Sequence, residues 1–421
     1  MEQHTSVTSL GQSSRLELYQ PRIGIRTTER LLRKARQLAG LKVLHINSTR
    51  HGGGVAEILS SLTPLMDDMG IKTDWLVIDG PAEFFAVTKD VHNALQGQPI
   101  AIAPAAMRLH RDIVHANGMR ARLDDYDVVI VHDPQPLPLV ELRGQQTWIW
   151  CCHIDLSAPF APAWDYLAPM VERYDSVVFS LPEYAQPIAA PQRFILPAID
   201  PFSPINQQIS RTESAQHLKR YHVPTQLPLV VQVGRFDKWK DPQGVIDAFR
   251  MATQGIAATL VLAGNTAADD PEGPVMYEAI RAASSERILI IAADDPLLVN
   301  ALQRHAAVVL QKSLREGFGL TVSEAMWKGR AVIGGDVGGI RHQIVHGQCG
   351  FLAGDVEQAA ANIKALLLDP ALRRSIGRRA RERVRRHFLL TRLLEDWLAL
   401  IAELSLRVKV SEMERAAAVW R

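Results

Sequence analysis

A loop in the second half of the chain carries two basic residues that suit a bound diphosphate. Arg235 and Lys240 lie five residues apart in Gly234-Arg-Phe-Asp-Lys-Trp-Lys240, directly after an apolar run. A guanidinium presents a planar fork of donors and an ammonium a mobile point charge, so the pair suits neighbouring phosphates. The segment predicts a diphosphate site, and a solvated basic loop is the alternative that these residues leave open.

A second segment, Glu316-Gly-Phe-Gly-Leu-Thr-Val-Ser-Glu324, suits a sugar and an anion. It follows an apolar strand that ends near Gln311 and opens a helix near Leu320. Unpaired amides in the first turn of a helix attract anions, and ionised carboxylates accept hydrogen bonds from several hydroxyls. Glu316 and Glu324 could therefore hold sugar hydroxyls, although Glu324 could equally be an ordinary exposed helix residue.

Gly52-Gly-Gly54 follows the first apolar strand and opens a helix, so its backbone can come close to a ligand. The spacing matches neither the Walker loop nor the dinucleotide fingerprint, and a plain tight turn is the alternative. His153 follows another strand, Trp148-Ile-Trp-Cys-Cys152, where a satisfied core histidine is common. No histidines have the spacing of a metal site, so no protein-bound catalytic metal is expected.

These residues need a scaffold of strands that alternate with helices. The apolar runs predict eleven strands, separated by segments of helical periodicity. Such alternation predicts an α/β protein with two Rossmann-like, doubly wound domains that face a central cleft. The strands are Lys42–Ile46, Asp74–Ile78, Asp127–Val131, Thr147–Cys151, Ser176–Phe179, Arg193–Leu196, Leu229–Val233, Thr259–Leu262, Ile288–Ile291, Ala307–Leu310 and Ala331–Ile333.

A Pro-rich join at Leu196–Pro204 divides the two halves. We predict a first domain over residues 1–200, a second over 201–385, and C-terminal helices over 386–421 that pack back on the first domain. The segment Met1–Gln20 is rich in Ser, Thr and Gln and is expected to be loosely ordered. Thr28 is a candidate N-cap for a helix that ends near Leu38.

Composition excludes several other classes of protein. A formal charge of +2 over 421 residues does not by itself indicate binding to nucleic acid or to a membrane. The nine arginines between Arg373 and Arg392 leave an apolar face, which indicates a solvated helix. Three features favour a cytoplasmic protein. The chain has only three cysteines, no apolar signal region near Met1 and no run of about 18 apolar residues.

Gly-Arg-x₄-Lys followed by Glu-Gly-Phe-Gly-x₄-Glu resembles the large family 4 of retaining glycosyltransferases, which have the two-domain B-type architecture. The resemblance implies that Arg235 and Lys240 hold the donor diphosphate, Glu316 lies by the transferred sugar and Glu324 binds the ribose. It implies further donor contacts in the helix start and the Gly-rich loop, namely Gly317, Phe318, Gly319, Leu320, Thr321, Gly53 and Gly54. The family also has a histidine near the transferred sugar where His153 stands.

Longer strings in the first half resemble the trehalose-forming subgroup of that family. They are His45-Ile-Asn-Ser-Thr, Glu83–Gly97, His132-Asp-Pro-Gln135 and His153-Ile-Asp155. They imply acceptor contacts at Asp133, Gln135 and Asp155, and at Lys89, His92 and Asn93. The last three could instead form an ordinary polar helix face.

The implied activity is transfer of glucose from a UDP- or ADP-type nucleoside-diphosphate glucose to free glucose, giving trehalose. His153, Arg235, Lys240 and Glu316 would form the catalytic set. No cofactor is expected to be tightly bound, although Mg²⁺ could accompany the donor diphosphate, and a homodimer is what the resemblance suggests. A retaining trehalose phosphorylase and a non-catalytic sugar- or nucleotide-binding protein are the alternatives.

Overall fold

Two parallel six-stranded sheets form the framework of the protein. The computed structural model describes residues 15–264 and 272–419. The strand orders are β2-β1-β3-β4-β5-β6 in the first sheet and β12-β11-β10-β7-β8-β9 in the second. Each sheet carries a hydrophobic cluster on each face, so its strands read as continuous apolar runs. The predicted α/β class with two doubly wound domains is confirmed.

The first domain, as we call the part built around the first sheet, begins with two helices that precede β1. Its strands are β1 (Lys42–Asn47), β2 (Lys72–Val77), β3 (Val128–His132), β4 (Thr147–Cys152), β5 (Ser176–Phe179) and β6 (Gln192–Phe194). Its helices are α1 (Arg15–Ile23), α2 (Ile25–Arg36), α3 (Gly54–Asp68), α4 (Ala82–Leu95), α5 (Pro104–Arg120) and α6 (Ala161–Val171). All strand pairs are parallel, so their carboxyl ends share one edge.

The second domain surrounds the second sheet. Its strands are β7 (Leu229–Val233), β8 (Thr259–Gly264), β9 (Ile288–Ala292), β10 (Ala306–Gln311), β11 (Ala331–Gly335) and β12 (Phe351–Ala353). Its helices are α7 (Arg211–Arg220), α8 (Pro242–Ala252), α9 (Glu272–Arg281), α10 (Pro296–His305), α11 (Leu320–Trp327), α12 (Gly338–Gln343), α13 (Val356–Leu368) and α14 (Pro370–His387). Aspartates cap several of these helices; Asp241, for example, accepts from the amide of Gly244 at 3.0 Å before Pro242 starts α8.

The chain crosses between the domains twice at one place. The Ile199 amide donates to the Phe388 carbonyl at 2.9 Å, and the Leu390 amide donates to the Ile199 carbonyl at 2.9 Å. Beyond this crossing, α15 (Leu390–Val419) packs on the first domain, where Leu394, Trp397 and other side chains join one of its hydrophobic clusters. The domain limits at residues 200 and 385 stay a prediction.

Several local predictions need correction. A twelfth strand, β12, was missed because three residues give too short an apolar run. Thr28 is not an N-cap: α2 begins after Gly24, whose φ of 79° suits glycine, and Thr28 is buried inside the helix. Residues 15–20 are not loosely ordered, because they belong to α1; residues 1–14 lie outside the described chain.

The other eleven strands are present, with ends within two residues of those predicted. The arginine-rich segment forms α14, whose Ile376, Ala380 and Val384 are buried while Arg385 and Arg386 pair with Glu382. In the part of the chain that the structure describes, no helix combines the length and the apolar character needed to cross a membrane.

Candidate active site

A cavity of about 660 Å³ lies between the carboxyl ends of the two sheets. This is where ligands of doubly wound sheets bind. Its walls include most of the residues predicted to contact the donor: Gly53, Gly54, His153, Arg235, Lys240, Glu316, Gly317, Phe318, Gly319, Leu320, Thr321 and Glu324. The fold therefore gathers residues from four separate stretches of sequence around one space.

Two helix N-termini approach each other across this cavity. Gly52 and Gly53 have φ values of 73° and 104°, which glycine adopts without strain, and α3 starts at Gly54. A Cβ added to Gly54 would lie 2.9 Å from the Leu320 side chain at the start of α11. Unpaired amides and positive dipole ends of both helices thus face the space between the domains.

The phosphate-binding candidates lie on the second domain. The Lys240 ammonium forms an ion pair with Glu316 Oε2. The same oxygen accepts from Gln311 Nε2 at 3.2 Å and from the Ser313 hydroxyl at 3.1 Å. Glu316 neutralises Lys240, and a diphosphate would offer Lys240 a second anionic partner. Arg235 follows β7 and lines the same cavity.

Phe318 reaches the cavity from the core. It is 4% exposed, and its ring packs edge-on against Phe388 at 5.7 Å. The neighbouring Gly319 has a φ of 82° and precedes α11. The ring therefore anchors the turn, and the predicted contact of this residue with a donor would be made by the backbone.

A buried polar network surrounds Glu324, the predicted ribose contact. Gln303 Nε2 donates to Glu324 Oε2 at 3.1 Å, and Lys328 Nζ donates to Gln303 Oε1 at 2.6 Å and to Asn206 Oδ1 at 2.9 Å. Burial lowers the pKa of Lys328 to about 7, against attraction from Glu324. These bonds fix the Glu324 carboxylate at the cavity wall.

Glu57, in the first turn of α3, faces Glu324 from the opposite domain. Its Oε1 is buried and has no hydrogen-bond partner in the described part of the chain. Burial and the neighbouring Glu324 carboxylate raise the pKa of Glu57 well above its usual range. The two carboxyls are within hydrogen-bonding reach, so a proton held by Glu57 relieves their repulsion. Sequence reasoning missed Glu57, although its place one turn after the Gly triplet was a usable signal.

His153 lies at the first-domain wall of the cavity. Its amide donates to Asp133 Oδ1 at 2.7 Å, and Asp133 adopts a φ of 64°, a strained conformation for a residue other than glycine. His153 Nε2 lies 3.0 Å from His132 Nδ1 and 3.3 Å from Cys151 Sγ. Burial lowers the pKa of His153, an effect that Asp133 partly offsets. The ring is therefore neutral near pH 7.

The predicted acceptor residues divide into two groups. A smaller pocket of about 90 Å³ adjoins the main cavity and is lined by Lys89, His92, Asp133 and Gln135. Asn93 and Asp155 line neither space. Asn93 Oδ1 instead accepts from the Trp239 indole at 3.2 Å, and Asp155 lies 3.8 Å from the Arg315 guanidinium. Contact of any of these residues with an acceptor stays a prediction.

Those last two contacts belong to a larger seam between the domains, which sequence reasoning did not find. The Tyr184 hydroxyl lies 3.0 Å from the Glu316 carbonyl and 2.9 Å from the Gly317 carbonyl. A Cβ on Gly317 would lie only 1.9 Å from the His153 carbonyl. Further pairs cross the seam: Lys89 with Asp237, Gln98 with Lys238, and Glu183 with His342. These contacts hold the two domains together beside the cavity.

Among the described residues, His132, Cys151 and His153 are the one group whose ligand atoms could surround a metal ion, within 4.8 Å of one another. The two rings, however, are already at hydrogen-bond distance. Burial also raises the pKa of the Cys151 thiol well above its usual range, so it keeps its proton. Metals bind lone pairs and thiolates, so hydrogen bonding is the better description of this cluster.

Comparison with known proteins agrees with this geometry. Residues 45–186 match the family model described as trehalose synthase, N-terminal domain, and residues 214–383 match glycosyl transferases group 1. The chain is 41% identical to the trehalose synthase of Pyrococcus horikoshii, over 93% of this chain and 96% of the relative. It is 42% identical to the trehalose synthase of Rubrobacter xylanophilus, over 88% of this chain and 92% of the relative. The trehalose phosphorylase of Pleurotus pulmonarius is more distant, at 27% over 88% of this chain and 58% of that protein.

Solved structures support the architecture. Sucrose-phosphate synthase from Thermosynechococcus elongatus superposes with a TM-score of 0.69 at 18% identity, covering 87% of this chain and all of that one. Anabaena HepE, solved in complex with UDP and glucose, superposes with a TM-score of 0.64 at 17% identity, covering 86% of this chain and 100% of that one. At these identities the structures show a shared glycosyltransferase fold. With the sequence relatives, they establish that the chain belongs to the trehalose synthase family of glycosyltransferases.

Proposed function

We propose that this enzyme transfers glucose, with retention of configuration, from a nucleoside-diphosphate glucose to free glucose and so makes trehalose. One observation carries the proposal. A single cavity is lined by Arg235, Lys240 and the α11 N-terminus for a diphosphate, Glu316 and His153 for a sugar, and Glu324 for a ribose. The names of its relatives, and the UDP and glucose bound to HepE, agree with these substrates.

The protein acts mainly by orientation and by stabilising the leaving group. In the proposed step the bond from the glucosyl anomeric carbon to the diphosphate breaks, and the anomeric oxygen of the acceptor bonds to that carbon on the same face. The departing phosphate oxygen takes the acceptor proton, so no protein base is required. Arg235, Lys240 and the amides at the start of α11 balance the charge that develops on the diphosphate.

Closure of the domains adds a second contribution. Water in the cavity would compete with the acceptor and hydrolyse the donor, so closing the seam protects the transfer. The smaller pocket beside His92, Asp133 and Gln135 is the proposed place of the acceptor glucose. Base preference is assigned to the segment 293–296, which lines the donor cavity.

The reverse reaction tests the proposal directly. Purified enzyme is incubated with trehalose and UDP, with trehalose and ADP, and with trehalose and inorganic phosphate. Formation of a nucleotide sugar in either nucleotide reaction supports the synthase. Glucose 1-phosphate formed with phosphate alone would identify a phosphorylase, and binding without turnover in any mixture would identify a non-catalytic binding protein.

Three further properties belong to the same proposal. The enzyme is proposed to be a cytoplasmic homodimer, since its three cysteines are free and buried and the family resemblance suggests a dimer. Light scattering after size exclusion would test the dimer, and fractionation of cells would test the compartment. No cofactor is proposed to be tightly bound, and Mg²⁺ enters only with the donor diphosphate, so chelation lowers activity without releasing metal from the protein.

A further inference from the structure

Three histidines from neighbouring strands form a hydrogen-bonded row that ends at the cavity. His45 lies in β1, His132 ends β3 and His153 follows β4, and these strands are adjacent in the sheet. His45 Nδ1 is 2.9 Å from His132 Nε2, and His132 Nδ1 is 3.0 Å from His153 Nε2. The rings stack with centroids 5.2 and 5.3 Å apart. We call these residues the histidine row.

The number of protons in the row is fixed. Burial lowers the pKa of all three rings, that of His45 to about 3, so each ring is neutral and carries one proton. Each of the two nitrogen–nitrogen contacts requires one proton between its atoms. Only two arrangements satisfy both contacts: all three N–H bonds point towards the cavity, or all three point away from it.

One end of the row decides between these arrangements. If all three protons pointed away from the cavity, one would lie on His45 Nε2, which is buried and has no hydrogen-bond partner among the described residues. Orphaned buried N–H donors are rarer than under-used acceptors. The row therefore favours protons that point towards the cavity, with the third on His153 Nδ1.

We propose that His45 and His132 are positioning residues that hold His153 in its Nδ1–H tautomer, as a hydrogen-bond donor to a hydroxyl of the transferred sugar. Because Nε2 is occupied by His132 and Cys151, Nδ1 is the ring nitrogen left for a ligand in the cavity. In this state His153 has no free lone pair with which to take the acceptor proton. The acceptor proton is therefore taken by the diphosphate. That the sugar beside His153 is the transferred glucose rests on the proposed function.

Long-range ¹H–¹⁵N correlation spectra of the full chain, with ¹⁵N-labelled histidine, report the tautomer of each ring. His153 is assigned from the signals that disappear in His153→Gln. His45→Phe removes the donor to His132, whereas His45→Asn keeps an amide donor near the position of Nδ1. The matched control is His110→Phe, because His110 is equally buried in the same domain but bonds to the Gln135 carbonyl, outside the row.

We expect the Nδ1–H form of His153 in the unsubstituted protein, a mixture of tautomers in His45→Phe, and restoration in His45→Asn. The kcat for trehalose formation should fall about 2- to 10-fold in His45→Phe, with the donor KM within twofold, and recover in His45→Asn. An Nε2–H form of His153, a spectrum unchanged by His45→Phe, the same change in His110→Phe, or one equivalent of metal per chain would each overturn the proposal. Absence of trehalose formation with the Nδ1–H tautomer intact would instead refute only the proposed function.

Discussion

The close approach of Gly317 to the His153 carbonyl gives a sharp test of whether contact between the two domains supports catalysis. The perturbation is Gly317→Ala, which adds one methyl group on the second-domain side of the seam. The new Cβ would lie 1.9 Å from the His153 carbonyl oxygen and 3.0 Å from its carbon. Carbon and oxygen atoms that touch across backbones are normally about 3.3–3.6 Å apart. The two backbones must therefore separate by more than about 1 Å.

This separation should act on catalysis more than on nucleotide binding. The proposed diphosphate and ribose contacts lie mainly on the second domain, whereas His153 lies on the first. A misplacement of about 1 Å in a reacting geometry can cost about 10²-fold in rate. We therefore expect kcat for trehalose formation to fall about 100-fold, while the Kd of UDP or ADP, measured by calorimetry, changes by less than threefold.

The matched control is Gly354→Ala, after β12. A Cβ there would meet only the Gln358 side chain, at 3.8 Å or more, which is ordinary contact. Gly317 and Gly354 both lack a positive φ, so backbone strain is not a difference between them. X-ray scattering should show a wider separation of the domains in Gly317→Ala only. Full activity in a folded Gly317→Ala protein would refute the link between this contact and catalysis.

Three further predictions follow from single groups. Arg235→Ala and Lys240→Ala should each lower kcat/KM about 10²–10³-fold, whereas exposed Lys219→Ala should not; unchanged turnover in the first two would end the diphosphate assignment. Glu57→Gln should raise the melting temperature at pH 8 and not at pH 4. Because the pKa of Glu57 is raised in the folded protein, its protonated form stabilises the fold below pH 4.5, and this stabilisation is lost as the pH rises and the carboxyl ionises. The pKa of His45 is about 3 in the folded protein and 6.5 in the unfolded chain. The neutral ring therefore contributes to the free energy of unfolding in full above pH 6.5, and this contribution falls by about 2 kcal/mol by pH 5. Urea unfolding of His45→Phe should show a pH 8 to pH 5 difference smaller by about that amount, and an equal difference would contradict the burial argument.

The strands, and the loops that follow them at the cavity, could be predicted because their signals are local. The run Leu229–Val233 is buried and apolar apart from Gln232, and Gly234 and Arg235 follow it directly, so a strand and the turn that faces the cavity are visible together. The start of α11 was predictable for the same reason, since Gly319 marks the turn before Leu320. Where a short segment contains both the element and its terminus, sequence is sufficient.

The seam could not be predicted because its partners are distant in sequence and individually ordinary. Asn93 and Trp239 are 146 residues apart, and neither type indicates the other. The resemblance assigned Asn93 and Asp155 to an acceptor; in the structure each contacts a side chain of the second domain, and their contact with an acceptor stays a prediction. The resemblance is compatible with a role in substrate binding and with a role in domain contact. Residues of both kinds lie at the same edge of the cleft.

This shared rim has a consequence for how substitutions act. Glu316 is proposed to lie by the transferred sugar through its side chain, while its carbonyl accepts from Tyr184 across the seam. His153 likewise faces the cavity with its ring and packs its carbonyl on Gly317. The proposed catalytic side chains and the contacts between the domains are therefore borne by the same backbone segments. We therefore expect the seam to set the distance between Glu316 and His153, and the cavity to reach its working geometry only when the seam is formed.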